Sequence, residues 1–215
     1  PPIRPEQVRT IELGYRTTLW KRLFVDMGYY FSRYKNFIGY QLGIDAFIPT
    51  GSALPTSVQA YRISSNARDI VTSQGFSIGL NYFFGEHYVF KGNYSWNVLN
   101  TQSDDPIIPA FNTPEHKYNV GITGRDLKVF GIKNLGFSVN YKWIDGFIFE
   151  GSPQFTGFIP DYNLTDVQVN WAWVKRDLTF KAGASNVFNQ KSYQTYGGPL
   201  IVRLAYFSVL YEFKK

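Results

Sequence analysis

Apolar and polar residues alternate one by one along most of this 215-residue chain. Such a period of two places successive side chains on opposite faces of a β-strand, and no helical periodicity of useful length competes with it. The pattern predicts an all-β chain. Nine alternating runs mark its strands: Thr10–Arg16, Leu23–Ser32, Phe76–Tyr82, Tyr88–Asn97, Lys117–Thr123, Leu135–Trp143, Asp166–Trp173, Leu178–Ser185 and Ala205–Phe213.

The length and composition of these runs favour strands that cross a membrane. With the residues that flank these runs, many patterns extend over about 9 to 13 residues. An average globular strand has about 5 to 6 and a tilted transmembrane strand about 9 to 11. Aromatic residues make up 19% of the chain and charged residues only 18%, against roughly 25% in soluble proteins. The polar face carries mostly Gly, Ser, Asn and Thr, while Tyr and Trp gather near strand ends, as in interfacial girdles. We therefore predict a transmembrane antiparallel β-barrel; the alternative is a soluble sandwich or lipocalin-like barrel.

The connections between the predicted strands alternate between short and long. The short ones lie near Thr18–Arg22, Gly85–His87, Arg125–Asn134 and Lys175–Asp177. The long ones lie near Asn36–Arg68, Thr101–Pro114, Glu150–Asp161 and Asn189–Leu200. Outer-membrane barrels have short periplasmic turns and longer extracellular loops, so this alternation predicts the sidedness of every strand.

The residue composition argues against several functional classes. Without cysteine, the chain forms no disulfide, zinc-thiolate site or thiol nucleophile. The two histidines, His87 and His116, are predicted at opposite ends of the barrel, which argues against a metal site or catalytic triad. The net charge of +6 comes from scattered cations, which does not favour binding to nucleic acid. The adjacent residues Asp104 and Asp105 are more typical of a solvated turn than of a Ca²⁺ site. We expect no enzyme, cofactor or metal.

Four segments together resemble one family. Arg4–Arg16 (RPEQVRTIELGYR), Phe111–Gly121 (FNTPEHKYNVG), Ala184–Tyr193 (ASNVFNQKSY) and the closing run Arg203–Phe213 resemble, in order and spacing, the barrel strands of TonB-dependent receptors. The resemblance covers essentially the whole chain, and the long aromatic strands look most like receptors of Bacteroidota.

The resemblance implies a barrel of about 22 strands whose lumen holds a plug. Nine strands cannot make that barrel, and an odd number does not close a standard single-chain antiparallel one. Residues 1–215 are therefore expected to be its C-terminal part, with the plug, the TonB-contacting segment and the earlier strands upstream. The start, Pro1 to Pro5, lacks the apolar stretch of a signal peptide, so we also expect processing or a longer native chain.

The implied partners are outer-membrane lipids, the N-terminal remainder of the barrel with its plug, TonB, the barrel assembly machinery and, in some assemblies, a surface lipoprotein. Phe213 matches the terminal aromatic that serves barrel assembly in the family. Here it is followed by Lys214 and Lys215, which departs from the family's pattern.

Candidate site residues fall into two groups. The long loop Asn36–Arg68 supplies mixed aromatic and polar side chains for a ligand, and the alternative is a loop that only covers the barrel mouth. Its candidates are Tyr40, Asp45, Tyr61, Arg62 and Arg68. A second group of charged residues is predicted to face the lumen and contact the plug: Arg9, Glu12, Asp26, Lys142 and Asp166.

The function that the resemblance implies is TonB-dependent uptake of a nutrient, such as a siderophore, glycan or peptide, across the bacterial outer membrane. This chain would supply barrel wall and extracellular loops. The alternative is a receptor-like barrel that serves as a scaffold or docking subunit in a larger outer-membrane complex. A third hypothesis is a passive porin with an open lumen.

Overall fold

The computed structural model describes residues 2–51, 53–100, 111–151 and 155–213, and its regular structure is almost entirely β. The strands are β1 (Gln7–Leu19), β2 (Leu23–Lys35), β3 (Ile38–Phe47), β4 (Ser57–Asn66), β5 (Val71–Phe84), β6 (Tyr88–Asn100), β7 (His116–Val129), β8 (Ile132–Ile144), β9 (Phe147–Glu150), β10 (Thr156–Ile159), β11 (Tyr162–Trp173), β12 (Leu178–Ser185) and β13 (Leu204–Tyr211).

Nine of these strands form one antiparallel sheet in the order β1-β2-β5-β6-β7-β8-β11-β12-β13. Within this sheet, every strand pairs with the one that precedes it and the one that follows it along the chain. The hairpins β3–β4 and β9–β10 lie in the connections and form separate two-stranded sheets. The prediction of nine alternating strands is confirmed. The sheet is open, with β1 and β13 at its edges.

Two hairpins were not predicted. β3 pairs with β4 inside the segment treated as one long loop, and β9 pairs with β10 around Glu150. The β3 pattern was present, because Ile38, Tyr40, Leu42 and Ile44 alternate with small or polar residues, so its assignment to a loop was wrong. The β9 and β10 strands have four residues each, too few for a period to be recognised.

The strand register keeps the two faces of the sheet separate across all nine strands. We call the face that carries Leu13, Ile78 and Val139 the apolar face, and its opposite the polar face. Neighbouring polar-face residues align pair by pair, as in Asn119 opposite Lys142 and Asn140 opposite Asp166. A one-residue slip in a ladder would exchange the faces, so the register fixes which side meets lipid. The β7–β8 ladder departs from it only near the turn end, with irregularities between Gly124 and Val129.

The short connections all lie at one end of the sheet, as predicted. β1 turns into β2 through Trp20 and Lys21, whose φ angles are 48° and 59°, and β7 turns into β8 through Phe130 and Gly131, at 49° and 83°. Two-residue turns with positive φ match the right-handed twist of paired strands. The β7–β8 connection is thus much tighter than the predicted Arg125–Asn134. A 3-10 turn, Val174–Arg176, joins β11 to β12 at this same end.

Aromatic side chains form a band near each end of the apolar face. At the loop end, Tyr118 and Trp143 stack with ring centroids 5.5 Å apart. At the turn end, Trp171 stacks on Trp173 at 5.7 Å and on Phe180 at 5.5 Å. Such paired bands mark the two interfaces of an outer-membrane barrel.

The large apolar side chains of the sheet are exposed or half-buried, with almost none gathered into a core. Leu13 is 67% exposed and Val169 57%. The one hydrophobic cluster of buried residues in the described ranges, Ile159, Tyr162 and Leu164, lies at the loop end beside β9 and β10. A contiguous exposed apolar face requires a surrounding other than water. Among the described residues, no helix is both long and apolar enough to span a membrane.

Candidate functional site

The register groups the predicted lumen residues, with one exception. Glu12, Asp26, Lys142 and Asp166 stand at polar-face positions of β1, β2, β8 and β11. Arg9 was wrongly placed with them. It lies three residues before Glu12 in an unbroken strand, so its side chain leaves on the apolar face, and its register partner is Arg33.

Two of the polar-face carboxylates are bonded within the sheet itself. Arg16 reaches Asp26, with a nitrogen–oxygen distance of 2.7 Å. Both side chains are largely exposed, so the pair contributes little to stability by itself. Asp166 Oδ1 accepts hydrogen bonds from the Ser185 hydroxyl at 2.7 Å and from the backbone N–H of Asn186 at 2.9 Å. Asp166 therefore ties β11 to the start of the β12–β13 loop.

Two open recesses line the polar face. One is formed around Asp166 by Ser138, Asn140, Gln168 and Tyr206, and the Tyr206 hydroxyl donates to Gln168 Oε1 at 2.8 Å. The other includes Glu12, Asp26, Tyr30 and Asn97, and here the Tyr30 hydroxyl donates to Asn97 Oδ1 at 3.1 Å. Hydroxyls, amides and carboxylates in such recesses suit a hydrated lumen or a polar protein partner.

Tyr30 lies across the backbone of Gly75, which explains why a glycine occupies that position. A Cβ on Gly75 would come within 2.5 Å of the Tyr30 ring and 2.8 Å of the Trp96 carbonyl oxygen. Gly75 therefore reflects close packing on the polar face.

The hairpin β3–β4 brings two predicted ligand residues into contact. The guanidinium carbon of Arg62 lies 3.6 Å from the centroid of the Tyr40 ring, a cation–π arrangement. Arg62 Nη2 also donates to the Gly151 carbonyl at 3.5 Å, although the two residues are 89 positions apart. Arg62 thus links the first extracellular hairpin to the end of β9.

The other loop candidates lie apart from this contact. Tyr61 is 41% exposed, beside Arg62 in β4. Asp45 lies nearer the tip of the hairpin, opposite Gln59. Arg68 follows the end of β4 by two residues. The structure therefore joins Tyr40 and Arg62 directly, places Asp45 and Tyr61 elsewhere on the same hairpin and leaves Arg68 beyond its base.

A structural residue at the loop end was not recognised from sequence: Asn186, only 2% exposed. Its Nδ2 donates to the Gln190 carbonyl at 2.8 Å, and the Gln190 N–H donates to its Oδ1 at 2.9 Å. Its φ of 51° lies in the left-handed region, which asparagine tolerates better than most residues. The Ala184–Tyr193 motif, noticed only as a resemblance, therefore has a physical basis as a loop anchor.

Glu150 marks where the β6–β7 loop meets β9. The side chain of Asn112 donates to the Glu150 carbonyl at 2.9 Å and accepts from the Glu150 N–H at 2.7 Å. Burial raises the pKa of the Glu150 carboxyl above its ordinary value of 4.5. The ionised carboxylate is therefore less favourable in the folded hairpin than in the unfolded chain.

This shift gives a pH dependence with a definite sign. Because the folded-state pKa is raised, the stabilising contribution of protonated Glu150 is complete below the unfolded value near 4.5 and is lost as pH rises through the folded pKa. We expect Glu150→Gln to protect the β9–β10 amides from hydrogen exchange more than the native chain at neutral pH, and equally at acidic pH. Asp161→Asn, a matched exposed neighbour, should change neither. Equal protection of the native and Glu150→Gln chains at neutral pH would contradict the assignment.

The structure brings together no metal-binding group of three or more His, Asp or Glu side chains within the ranges it describes. His87 and His116 lie at opposite ends of the sheet, His116 with its Nδ1 2.8 Å from the Tyr94 hydroxyl. Asp104 and Asp105 fall outside the described residues.

Comparison with known proteins identifies the family. The family model described as TonB dependent receptor-like, beta-barrel matches residues 1–187, and no curated protein matches the chain. Many solved structures share its fold, and three of them illustrate the likeness. The Copper transporter OprC gives a TM-score of 0.67 at 13% identity, covering 91% of this chain and 27% of that one.

The FrpB iron transporter from Neisseria meningitidis gives a TM-score of 0.65 at 15% identity, and the match covers 95% of this chain and 30% of that one. The siderophore receptor PirA from Acinetobacter baumannii gives a TM-score of 0.64 at 16% identity, and the match covers 96% of this chain and 32% of that one. This chain therefore spans less than a third of the length of each. With the family model covering most of the chain, these 215 residues belong to the TonB-dependent receptor-like β-barrel family of the Gram-negative outer membrane.

Proposed function

We propose that this chain forms the C-terminal wall and part of the extracellular mouth of a transporter that takes up a nutrient across the outer membrane with energy supplied through TonB. The observation that carries the proposal is the joined outer surface above the polar face, where Arg62 contacts Tyr40 of its own hairpin and the Gly151 carbonyl of the next. A cation held over an aromatic ring beside a second loop is suited to an anionic or chelated ligand.

The mechanism divides between this chain and the rest of the receptor. Ligand would first contact the β3–β4 hairpin through Tyr40 and Arg62, which share one of its faces. Glu12 and Lys142, on the polar face, would contact a plug inside the lumen, while Asp26 and Asp166 already hold internal hydrogen bonds. A pull by TonB on the plug would then open a path along this polar wall.

The direct test is accumulation by cells that lack their own receptors and express the full-length receptor. Labelled ferric siderophores, copper, oligosaccharides and peptides would be supplied in turn, with and without TonB. Uptake of one class that disappears without TonB supports the proposal. No TonB-dependent uptake, together with a lipoprotein that copurifies stoichiometrically, would favour a scaffold; TonB-independent ion conductance would favour a porin.

Within that assay, Arg62→Ala should weaken binding of an anionic ligand by roughly 10- to 150-fold, since a hydrogen bond to a charged group contributes about 1.5–3 kcal/mol. Tyr40→Ala should weaken it by roughly 2- to 30-fold, because it removes a cation–π contact of about 0.5–2 kcal/mol that holds the guanidinium in position. Tyr40→Phe keeps the ring and should retain near-native affinity. Binding isotherms on the purified receptor measure this, and an unchanged affinity in Arg62→Ala would remove Arg62 from the ligand site.

We also propose that Phe213 serves recognition by the barrel assembly machinery. It is 86% exposed just beyond β13 and packs edge-to-face on Tyr211 with ring centroids 4.7 Å apart. An exposed aromatic just beyond the last strand is available to a partner. Phe213→Ala should reduce receptor levels in the outer membrane, whereas Phe213→Tyr should preserve them.

A further inference from the structure

Three cations gather on the apolar face at the loop end of β1 and β2. Arg9 lies directly opposite Arg33, and Lys35 lies opposite Gln7 one step nearer the loops. Together with Ile70, these four residues line an open recess of about 250 Å³. All three cationic side chains are exposed.

The position of this cation cluster is unusual for the face on which it lies. Two residues closer to the membrane centre, on the same face of β1 and β2, Ile11 and Phe31 form a register pair. On β7 and β8, the loop end of this face carries the stacked Tyr118 and Trp143 instead. The cations therefore stand where the apolar band ends and the polar headgroups of the outer leaflet begin.

The charges of the cluster are not matched from within the described ranges. Like charges directly opposite each other in a sheet are destabilising. Neither the Arg16–Asp26 ion pair nor the close contact of Glu115 with His116 involves these cations. The carboxylate of nearby Glu6 is directed to the β3 hairpin, where it accepts a hydrogen bond from the Ile38 N–H at 3.0 Å.

We infer that Arg9, Arg33 and Lys35 form a binding site for a phosphate group on a lipid of the outer leaflet. Two guanidinium groups offer paired donors that fit phosphate oxygens, and the ammonium group adds a third charge. The lipid is favoured over a free phosphate because Ile11 and Phe31 continue the recess toward the membrane, where they contact acyl chains. The site belongs to the outer wall, so it is independent of uptake through the lumen.

The test is native mass spectrometry of the full-length receptor, delipidated in detergent and titrated with bisphosphorylated lipid A. The variant Arg9→Gln/Arg33→Gln/Lys35→Gln should bind it roughly tenfold more weakly or worse, because charge-assisted hydrogen bonds are lost. The matched control Lys91→Gln/Lys117→Gln/Lys181→Gln removes the same charge from the polar face and should bind the lipid as the native receptor does. Heat-modifiable migration in gels verifies that each barrel is assembled.

Two further arms identify the source of the phosphate. Lipid A stripped of its phosphates should bind the native receptor as weakly as the intact lipid binds the variant. Inorganic phosphate should compete only at concentrations far above those of the lipid. Equal lipid binding by native receptor and variant, equal losses in the control, or inorganic phosphate binding as tightly as the lipid would each overturn the inference.

Discussion

Replacement of Val139 by arginine is expected to destabilise the barrel by about 2–4 kcal/mol, the cost of a lipid-facing arginine near the bilayer midplane. Val139 stands in the middle of β8 on the apolar face, between register partners Ile122 and Val167. No polar side chain of those pairs is available to the guanidinium, and mid-strand depth limits its reach to the interface. The loss should appear in equilibrium unfolding of the full-length receptor from lipid vesicles.

The neighbouring substitution, Ser138→Arg, is the matched control. It introduces the same side chain one residue away, on the polar face, in the recess that also contains Asp166 and Gln168. Because a carboxylate and water are available there, we expect a change within about 0.5 kcal/mol. Equal destabilisation by both arginines would mean that the apolar face is not the lipid face, and the membrane assignment of this sheet would fail.

Replacement of Asn186 by alanine is expected to release the loop between β12 and β13. The substitution removes both side-chain hydrogen bonds to Gln190 and leaves its N–H and C=O groups without their partners. It also forces an alanine to a φ of 51°. The two effects together should lower the local opening free energy by about 2–3 kcal/mol. Hydrogen exchange of the Asn186 and Gln190 amides measures it.

A second variant separates the two causes. Asn186→Gly loses the same hydrogen bonds but tolerates positive φ, so it should recover only the part of the loss that comes from backbone conformation. Asn189→Ala, at an exposed position with a similar φ of 56° and one hydrogen bond to the Arg203 N–H, should lose less. If Asn186→Ala leaves the exchange of Gln190 unchanged, the anchoring role is wrong.

The strands were predictable because their information is local. Each alternating run states by itself which side chains share a face, and the nine runs all appear in the sheet. The same rule shows the error in placing Arg9 with Glu12, since an odd separation within one strand puts them on opposite faces. Counting along the strand was sufficient to place Arg9, and the charge of the residue was the wrong guide.

The loop hairpins were less accessible to sequence reasoning for a different reason. The side chains of β3 do alternate, but this strand lies outside the nine-stranded sheet. Glycines and polar residues surround it in the sequence, so it was assigned to a loop. The four-residue strands β9 and β10 are stabilised by packing of Phe147 and Phe149 against Ile159 and Tyr162, which no local pattern encodes.

The sequence by itself determined the all-β class, the nine strands, their two faces, the end at which each turn lies and, through the family motifs, the kind of barrel. These properties follow from the period of side chains along a strand and the length needed to cross a bilayer. Only the tertiary structure decided that Arg62 contacts Gly151, 89 residues away, and so links two hairpins. It also decided that Arg9 and Arg33 lie opposite each other on the lipid-facing side. Both depend on which strands become neighbours and in what register, and a periodic pattern specifies the faces of a strand without specifying the contacts of its loops.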